Sequence, residues 1–310
     1  MKTTLIDSPA SLAHRLPDGH PEHDGRYTAV REALAGIAGT VWAEAGQAPV
    51  EALARFHTVE HVDRVLTACA EAGVEGFVGL DPDTIVCGQS ARAALSAAGG
   101  AIAGVDTVMR DGQGAVFLLA RPPGHHAEPD RPMGFCLFNT VAIAAMHALE
   151  VHGLPSIAIV DIDVHHGNGS QCLAERDERV LFASLHQSPL YPGTGHRGET
   201  GLGGNVVNVP LPDGTDGAAW RAAFEAEIVP ALRKAKPALI LISAGFDAHA
   251  DDPLGGLGLV DEDYAWAAER LAALASEFAH SRLVSVLEGG YDCPALGRSA
   301  AAFVRALARA

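Results

Sequence analysis

Cysteine is scarce and scattered in this sequence. The five thiols form no Cys-x-x-Cys pair: Cys69, Cys87, Cys136, Cys172 and Cys293. An odd, dispersed set argues against a disulfide framework and against a cysteine-rich zinc site. Such a set is typical of proteins in a reducing compartment. The first ten residues also lack the long apolar segment of a secretory signal, and together these features predict a cytoplasmic protein.

Positive charge and long apolar runs are also in short supply. The chain has 22 Lys and Arg against 38 Asp and Glu, which gives a formal net charge of −16. A binder of the phosphate backbone needs clustered Lys and Arg, so direct nucleic-acid binding is not expected. An acidic chain is compatible with a cationic substrate. No apolar run approaches the roughly 20 residues that span a bilayer, so no membrane association is expected.

Two common catalytic signatures are missing from the sequence. No Gly-x-x-x-x-Gly-Lys-Ser/Thr stretch is present, and this absence argues against a P-loop. No Gly-x-Ser-x-Gly nucleophile elbow is present either. Covalent serine catalysis is therefore unsupported.

Strand and helix patterns alternate along most of the 310 residues, 48% of which are hydrophobic. Short apolar runs predict strands over residues 116–119, 156–161, 180–184, 238–243 and 282–287. Helical patterns cover residues 27–37, 58–72, 91–108, 140–151, 218–236, 261–278 and 295–310, with a kink expected at Pro230. No linker or repeat divides the chain. We predict one α/β domain over residues 1–310, with a parallel sheet between helices.

Polar residues beside glycines follow four of the predicted strands. They are the pair His125-His126, the segment from Asp161 to Asn168, Asp247, and Tyr291 after two glycines. In open parallel sheets the functional site lies outside the carboxyl ends of the strands. We therefore expect these four segments to meet in one site.

Asp161, Asp163 and His165 alternate at the period of an extended chain and leave a buried strand together. With Asp247, Asp163 and His165 make a plausible set of three metal ligands with one position left open. Two carboxylates and an imidazole suit Zn²⁺, Fe²⁺, Co²⁺ or Mn²⁺, and the spacing does not choose among them. The alternative is a pair of helix-capping aspartates beside a surface loop. Charged groups directly after a buried strand favour the metal site.

Paired imidazoles near a metal can serve as general base and general acid. Each needs a partner that fixes its tautomer. Asp161 is the candidate partner of His125, and Asn168 is that of His126. A phenol at Tyr291 can donate a hydrogen bond to a developing oxyanion.

A competing motif is the segment from His57 to His61, which matches the H-x-x-E-H pattern of inverted zinc proteases. No third ligand is evident near it, and short matches arise by chance in a chain with 15 His. We expect His57 and His61 to form a pair on the surface of a helix.

Taken together, the motifs resemble the histone deacetylase superfamily, which includes acetylpolyamine amidohydrolases. The matching segments occur in family order and cover most of the chain: residues 121–127, 133–139, 161–169, 184–186, 191–195, 243–248, 252–254 and 288–291. The resemblance implies the arginase–deacetylase fold, a single-domain α/β fold with a parallel sheet of about eight strands between helices. It also implies hydrolysis of an N-acyl amine by metal-activated water, with release of acetate.

The resemblance assigns roles to individual residues. It makes Asp163, His165 and Asp247 the zinc ligands. His126 becomes the general base and then the acid, oriented by Asn168, while Tyr291 stabilises the oxyanion. His125, held by Asp161, stabilises charge.

The resemblance also implies a substrate tunnel and a second cation. The substrate-binding residues would be Gly134, Phe135, Tyr191, Leu254 and Gly289. A structural monovalent cation, K⁺, would be bound by Asp161, Asp163, His165, Ser184 and Leu185. His166 receives no role.

The substrate class is left open by the sequence. The first hypothesis is an acylated lysine in a protein or peptide, and the second is an acetylpolyamine or another small amide. A third is a catalytically silent acyl-lysine binder, against which the intact His126 and Tyr291 argue. Leu254 replaces the acidic gatekeeper of a polyamine-selective branch, and Asn168 resembles the class II branch. The sequence does not decide whether the protein forms a homo-oligomer.

Overall fold

A central sheet of eight parallel strands organises the molecule. The computed structural model describes residues 2–310. The strands are β1 (Thr3–Asp7), β2 (Thr40–Glu44), β3 (Phe77–Gly79), β4 (Ile85–Cys87), β5 (Gly114–Leu119), β6 (Ile157–Asp161), β7 (Val180–Gln187), β8 (Val206–Leu211), β9 (Ile240–Ala244) and β10 (Arg282–Leu287). Their order across the sheet is β2-β1-β5-β10-β9-β6-β7-β8, and β3 and β4 form a separate antiparallel hairpin. The expected sheet of about eight parallel strands is confirmed.

Helices cover both faces of this sheet. They are α1 (Gly25–Leu34), α2 (Val50–Leu53), α3 (Val59–Ala72), α4 (Ser90–Arg110), α5 (Thr140–Glu150), α6 (Asn168–Ala174), α7 (Gly217–Ala223), α8 (Val229–Ala235), α9 (Asp261–Phe278) and α10 (Cys293–Arg309), with a 3₁₀ turn at Pro9–Ala13. Among residues 2–310, no helix combines the length and apolar character that a membrane span needs.

Side chains along each central strand alternate between two apolar cores. On β5, Phe117 packs into the core that includes α9 and α10, whereas Val116 and Leu118 pack into the core that includes α4 and α5. This alternation follows from the two-residue period of a strand. Since both faces are covered, the central strands read as continuous apolar runs, and polar side chains concentrate where the strands end.

The five strands predicted from apolar runs are present, but three other strands of the central sheet and the two strands of the β3–β4 hairpin were not predicted. β1 and β2 lie in the first hundred residues, where only helices were predicted, and β8 joins the opposite edge. β2 is a partly exposed edge strand, so it lacks the continuous apolar run of a central strand.

The predicted helix over residues 218–236 is found in three parts. α7 passes into a π-helical segment, Phe224–Ile228, and α8 follows with Pro230 in its first turn. Proline has no N–H for the ordinary i to i−4 hydrogen bond, and a locally widened turn accommodates that loss.

The expectation of a surface pair at His57 and His61 is wrong, because both rings are buried. They stack with ring centroids 4.6 Å apart. The two nitrogens of His57 face the backbone carbonyl of Glu128 at 3.1 Å and the backbone N–H of Asn139 at 2.8 Å. Burial, with His61 beside it, lowers the pKa of His57 to about 3. The pair is a neutral structural contact that ties α3 to the loop before α5.

Candidate metal centre and cavity

Three side chains predicted as metal ligands meet at the carboxyl end of the sheet. Asp163 and His165 follow β6, and Asp247 follows β9, which is the neighbour of β6 in the sheet. Their ligand atoms all lie within 4.8 Å of one another. His165 Nδ1 lies 3.1 Å from Asp163 Oδ1 and 3.1 Å from Asp247 Oδ2. The two carboxylates are fully buried.

Backbone N–H groups fix the orientation of the two carboxylates. Val164 N donates to Asp247 Oδ1 at 2.8 Å, and Gly289 N donates to Asp163 Oδ2 at 2.8 Å. A Cβ atom at position 289 would overlap both carboxylates. Gly289 therefore lies against the metal-ligand candidates, where no larger residue fits without displacing them.

The charges of this cluster fit a bound cation. Burial and the neighbouring Asp163 charge raise the pKa of Asp247 to about 7. Burial disfavours a charged imidazole at His165, but hydrogen bonds to Asp163 and Asp247 raise its pKa to about 10. A cation between the two carboxylates relieves their repulsion. Two carboxylate oxygens and one imidazole nitrogen are the donor set of a catalytic zinc or another divalent first-row metal.

The paired histidines next to the cluster have different partners. His125 Nδ1 lies 3.0 Å from Asp161 Oδ2, and His126 Nδ1 lies 2.9 Å from Asn168 Oδ1. Burial opposes protonation of His125, but Asp163 and Asp161 raise its pKa well above the usual value. Burial and the positive charge of His125 lower the pKa of His126 well below the usual value. These opposite shifts favour a charged His125 beside a neutral His126.

Glu128 fixes the amide of Asn168 and was not predicted from sequence. Asn168 Nδ2 lies 2.8 Å from Glu128 Oε1. An ionised carboxylate only accepts hydrogen bonds, so the amide nitrogen of Asn168 faces Glu128 and its oxygen faces His126. His126 Nδ1 then carries the proton, and Nε2 keeps its lone pair. Only the folded chain brings Glu128 to this position, and no sequence motif marks it.

A cavity of about 230 Å³ opens beside these groups. The residues that line it are Asp83, His126, Gly134, Phe135, His165, Leu190, Tyr191, Leu254 and Tyr291. Four of the five predicted substrate-binding residues are among them, and Gly289 is the one that is not. The ring of Tyr191 meets that of His126 edge-on, with centroids 5.1 Å apart. Apolar walls with a few polar groups at one end are typical of small-ligand sites.

A tight turn at Gly134 and Phe135 forms part of the cavity wall. Both residues have positive φ, at 56° and 67°. Asp83 Oδ1 accepts a hydrogen bond from Gly134 N, and Thr84 Oγ1 accepts one from Phe135 N, each at 3.1 Å. A Cβ atom at Gly134 would overlap the ring of His126. Glycine at this position lets the backbone approach His126 closely.

Buried charges hold the segment that carries Tyr291, and sequence reasoning missed them. Asp252 Oδ2 accepts a hydrogen bond from Tyr291 N at 2.6 Å. The guanidinium of Arg26 lies 4.8 Å from the Tyr291 ring centroid, and its Nε donates to Gly290 O at 2.5 Å. Glu22 pairs with Arg26 at 2.7 Å and with Arg121 at 2.6 Å. Arg26 lies on α1, and Glu22 lies in the loop before it; neither belongs to a sequence motif. Arg121 and Asp252 lie within matching motif segments, but the sequence assigned them no role.

Three of the five residues predicted to bind a monovalent cation are neighbours in the sheet. Ser184 is the register partner of Asp161 in the pairing of β6 and β7, and Leu185 follows it on β7. All five are buried: Asp161, Asp163, His165, Ser184 and Leu185. Ser184 Oγ lies 2.9 Å from His186 Nδ1.

His166, left without a role by the sequence, links α6 to the loop after Tyr191. Its Nδ1 lies 2.8 Å from Thr194 Oγ1, and its Nε2 lies 2.8 Å from Gln171 Oε1. Burial and the neighbouring His186 lower the pKa of His166 to about 3. The neutral ring ties down the loop that supplies one wall of the cavity.

Comparisons with known proteins point to one family. The histone deacetylase domain family matches residues 20–307. Histone deacetylase 14, chloroplastic, of Arabidopsis thaliana is 39% identical over 96% of this chain and 75% of its own length. A probable deacetylase of Archaeoglobus fulgidus is 38% identical over 94% of this chain and 82% of its own length.

Among solved structures, the HDA15 HD domain superposes with a TM-score of 0.92 at 32% identity, covering 100% of this chain and 89% of that one. The single α/β domain described above is thus the arginase–deacetylase fold that the sequence motifs implied. The chain belongs to the histone deacetylase family, a family of hydrolases that remove acyl groups.

Proposed function

We propose that this protein is a zinc-dependent deacetylase that hydrolyses acylated lysine or a lysine-like N-acyl amine and releases acetate. The observation that carries this proposal is the buried group of Asp163, His165 and Asp247, which borders the cavity beside a neutral His126. Family membership supports the hydrolase class.

In this proposal Asp163, His165 and Asp247 hold Zn²⁺. When bound, the metal supplies a Lewis acid that polarises the amide carbonyl and lowers the pKa of a water molecule toward 7. The carboxylates neutralise the ion, and the backbone N–H donors from Val164 and Gly289 keep them aligned.

The proton transfers fall to His126. With Nδ1–H donated to Asn168, its Nε2 can take a proton from the attacking water. The same atom then returns the proton to the leaving amine as the C–N bond breaks, so the products are a carboxylic acid and an amine. A charged His125, paired with Asp161, adds positive charge near the developing oxyanion.

Tyr291 is the proposed hydroxyl donor to the oxyanion. Burial, opposed by the charge of Arg26, raises the pKa of Tyr291 well above its usual value, so the phenol keeps its proton at neutral pH. A fixed donor of this kind contributes roughly 3 to 4 kcal/mol to transition-state stabilisation.

The cavity walls support a substrate with an extended aliphatic chain. Phe135, Tyr191 and Leu254 offer apolar surface, and Gly134 leaves room for the amide. Asp83 also lines the cavity, and this acidic group favours a second candidate substrate class, acetylated polyamines or other small cationic amides. Leu254 favours the acyl-lysine class. The presence of both His126 and Tyr291 argues against a catalytically silent acyl-lysine binder.

We further propose that residues 1–310 act as one deacetylase domain and that the protein works in the cytoplasm. We also propose that K⁺ is bound by the backbone carbonyls of Asp161, Asp163, His165 and Leu185 together with the hydroxyl of Ser184. The adjacency of Asp161 and Ser184 in the sheet supports the cation proposal. Activity in KCl should exceed activity in the chloride of a large organic cation at equal ionic strength. Equal rates in the two salts would contradict the proposed K⁺ site.

The function is tested with purified protein on an acetyl-lysine peptide and on acetylputrescine, before and after metal chelation. Activity should disappear with the chelator and return with added Zn²⁺. Asp247→Asn should lose metal and activity, while Asp251→Asn, an exposed neighbour on the same loop, should keep both. Activity that survives complete removal of metal would contradict the mechanism. The ratio of rates on the two substrates decides between the substrate classes.

A further inference from the structure

A second cluster of possible metal ligands lies outside the cavity. It consists of Asp106 near the end of α4, His147 in the last turn of α5, and His152 just beyond α5. The Nε2 atoms of both histidines lie 2.7 Å from the same carboxylate oxygen, Asp106 Oδ1. The ligand atoms of the three residues all lie within 4.8 Å of one another. We refer to these three residues as the α4–α5 cluster.

The α4–α5 cluster is at the opposite end of the sheet from Asp163, His165 and Asp247. α4 precedes β5 and α5 precedes β6, so the carboxyl ends of both helices lie where these strands begin. The cavity is formed where the strands end. A ligand of the α4–α5 cluster therefore cannot contact the substrate.

We propose that the α4–α5 cluster is a second divalent-metal site, which takes Zn²⁺ or a similar borderline metal. Two imidazole nitrogens and one carboxylate oxygen match the ligand preferences of these ions. The side chains are 9% exposed for His147, 24% for His152 and 50% for Asp106. The two rings are thus held by their surroundings, while the exposed carboxylate leaves a path for the ion and for water as its remaining ligand.

The geometry needs little adjustment to hold a metal. Without metal, each Nε2 carries a proton that hydrogen-bonds to Asp106, which accounts for the two short contacts. Metal–ligand bonds of about 2.0–2.1 Å separate tetrahedral ligand atoms by roughly 3.4 Å. The half-exposed Asp106 side chain can move back by the difference between these two separations, and the proton of each ring moves to Nδ1 as its Nε2 binds the ion. His147 Nδ1 is buried without a hydrogen-bond partner, so the metal–nitrogen bond must also offset an unpaired N–H there.

A metal at this site would join α4 and α5 without changing the cavity. Because the ion binds the folded chain and not the unfolded one, it should raise the melting temperature as its concentration rises. The α4–α5 cluster is therefore expected to be a stabilising site that does not participate in catalysis.

The test is a comparison of metal content after chelator-treated protein is dialysed against excess Zn²⁺ and then against a metal-free buffer. His152→Gln and Asp106→Asn should each hold one equivalent of zinc less per chain than the wild type. His280→Asn, which removes an exposed histidine outside the cluster, should hold as much as the wild type. The difference in zinc content between wild type and variant tests the α4–α5 cluster, whatever amount of zinc Asp163, His165 and Asp247 bind.

Two further measurements are made on the same variants. The zinc-dependent rise in melting temperature should be smaller in His152→Gln than in the wild type, and deacetylase activity should be unchanged. Equal zinc content in the wild type and in both cluster variants would overturn the proposal. So would a loss of the same equivalent in His280→Asn, because nonspecific surface binding would then explain it.

Discussion

His126 Nδ1 lies 2.9 Å from Asn168 Oδ1. An amide at position 168 orients the ring without adding a negative charge, in contrast to Asp161, which pairs with His125 at 3.0 Å. Burial and the positive charge of His125 lower the pKa of His126, and an amide partner adds no carboxylate charge that would oppose this shift. A neutral imidazole is the form that can accept a proton from water.

Asn168→Asp should shift the pH dependence of activity. A carboxylate at position 168 favours the charged form of His126 and raises its pKa, by about one unit or more for an opposite charge in contact. Because the base must be neutral, the acidic limb of the profile of kcat/KM should move to higher pH. The measurement is kcat/KM from pH 5 to pH 9 with zinc-loaded protein.

Glu128 complicates this substitution, since Asn168 Nδ2 donates to Glu128 Oε1. The double variant Asn168→Asp with Glu128→Gln restores a donor opposite the new carboxylate. It should retain the shifted acidic limb and recover activity at the optimum relative to the single variant. An unshifted limb in the double variant would show that His126 is not the group that titrates.

Tyr291→Phe should keep metal and fold but lose turnover. The missing hydroxyl removes a donor that acts in the transition state, so kcat should fall by about a hundredfold or more with little change in KM. Tyr191→Phe is the matched control, because Tyr191 lines the same cavity and contributes its ring. Near-normal turnover in Tyr291→Phe, or an equal loss in both variants, would contradict the assigned role.

Much of the site could be predicted because its residues follow strands. Asp163, His165, Asp247 and Tyr291 each lie within a few residues of the end of a buried apolar run and of a glycine, and parallel strands bring such ends together. The predicted partners also contact the paired histidines: Asp161 hydrogen-bonds to His125, and Asn168 hydrogen-bonds to His126.

The parts that were missed depend on contacts across the fold. Glu22 and Asp83 come from loops without a local pattern, and only tertiary structure brings them to Arg26 and Gly134. Edge strands such as β2 are half exposed and carry no continuous apolar run. His57 and His61 were misread because their spacing does not reveal whether the fold covers them. Both rings are buried, and His57 lies before the start of α3.

Gly289→Ala should reduce metal affinity more than stability. The added methyl would overlap the carboxylates of Asp247 and Asp163, which then cannot both keep their positions. Zinc content after dialysis should fall, and activity should fall with it. Gly198→Ala is the control, since nothing lies within 4 Å of a Cβ there. If Gly289→Ala retains full zinc content, the close packing of this glycine against the ligands is unimportant for the metal.

Glu22→Gln should destabilise the protein strongly. Glu22 is fully buried between Arg26 and Arg121, and its loss leaves two buried guanidinium groups without a compensating charge. Breaking a buried ion pair in this way costs about 3–5 kcal/mol. The free energy of unfolding from denaturant titration at pH 7 measures the effect. Glu277→Gln breaks the half-exposed pair with Arg233 and should cost only about 0–1 kcal/mol.

The pH dependence of this loss has a definite sign. Burial opposes ionisation of Glu22, but Arg121 and Arg26 hold its pKa below the usual value. A carboxyl with a lowered folded pKa stabilises fully above its unfolded pKa of about 4.3, and that contribution disappears as pH falls through the folded value. The difference in unfolding free energy between wild type and Glu22→Gln should therefore be constant from pH 6 to pH 8 and shrink below pH 4. A difference that stays constant down to pH 3 would mean that lost packing, and not lost charge, destabilises the variant.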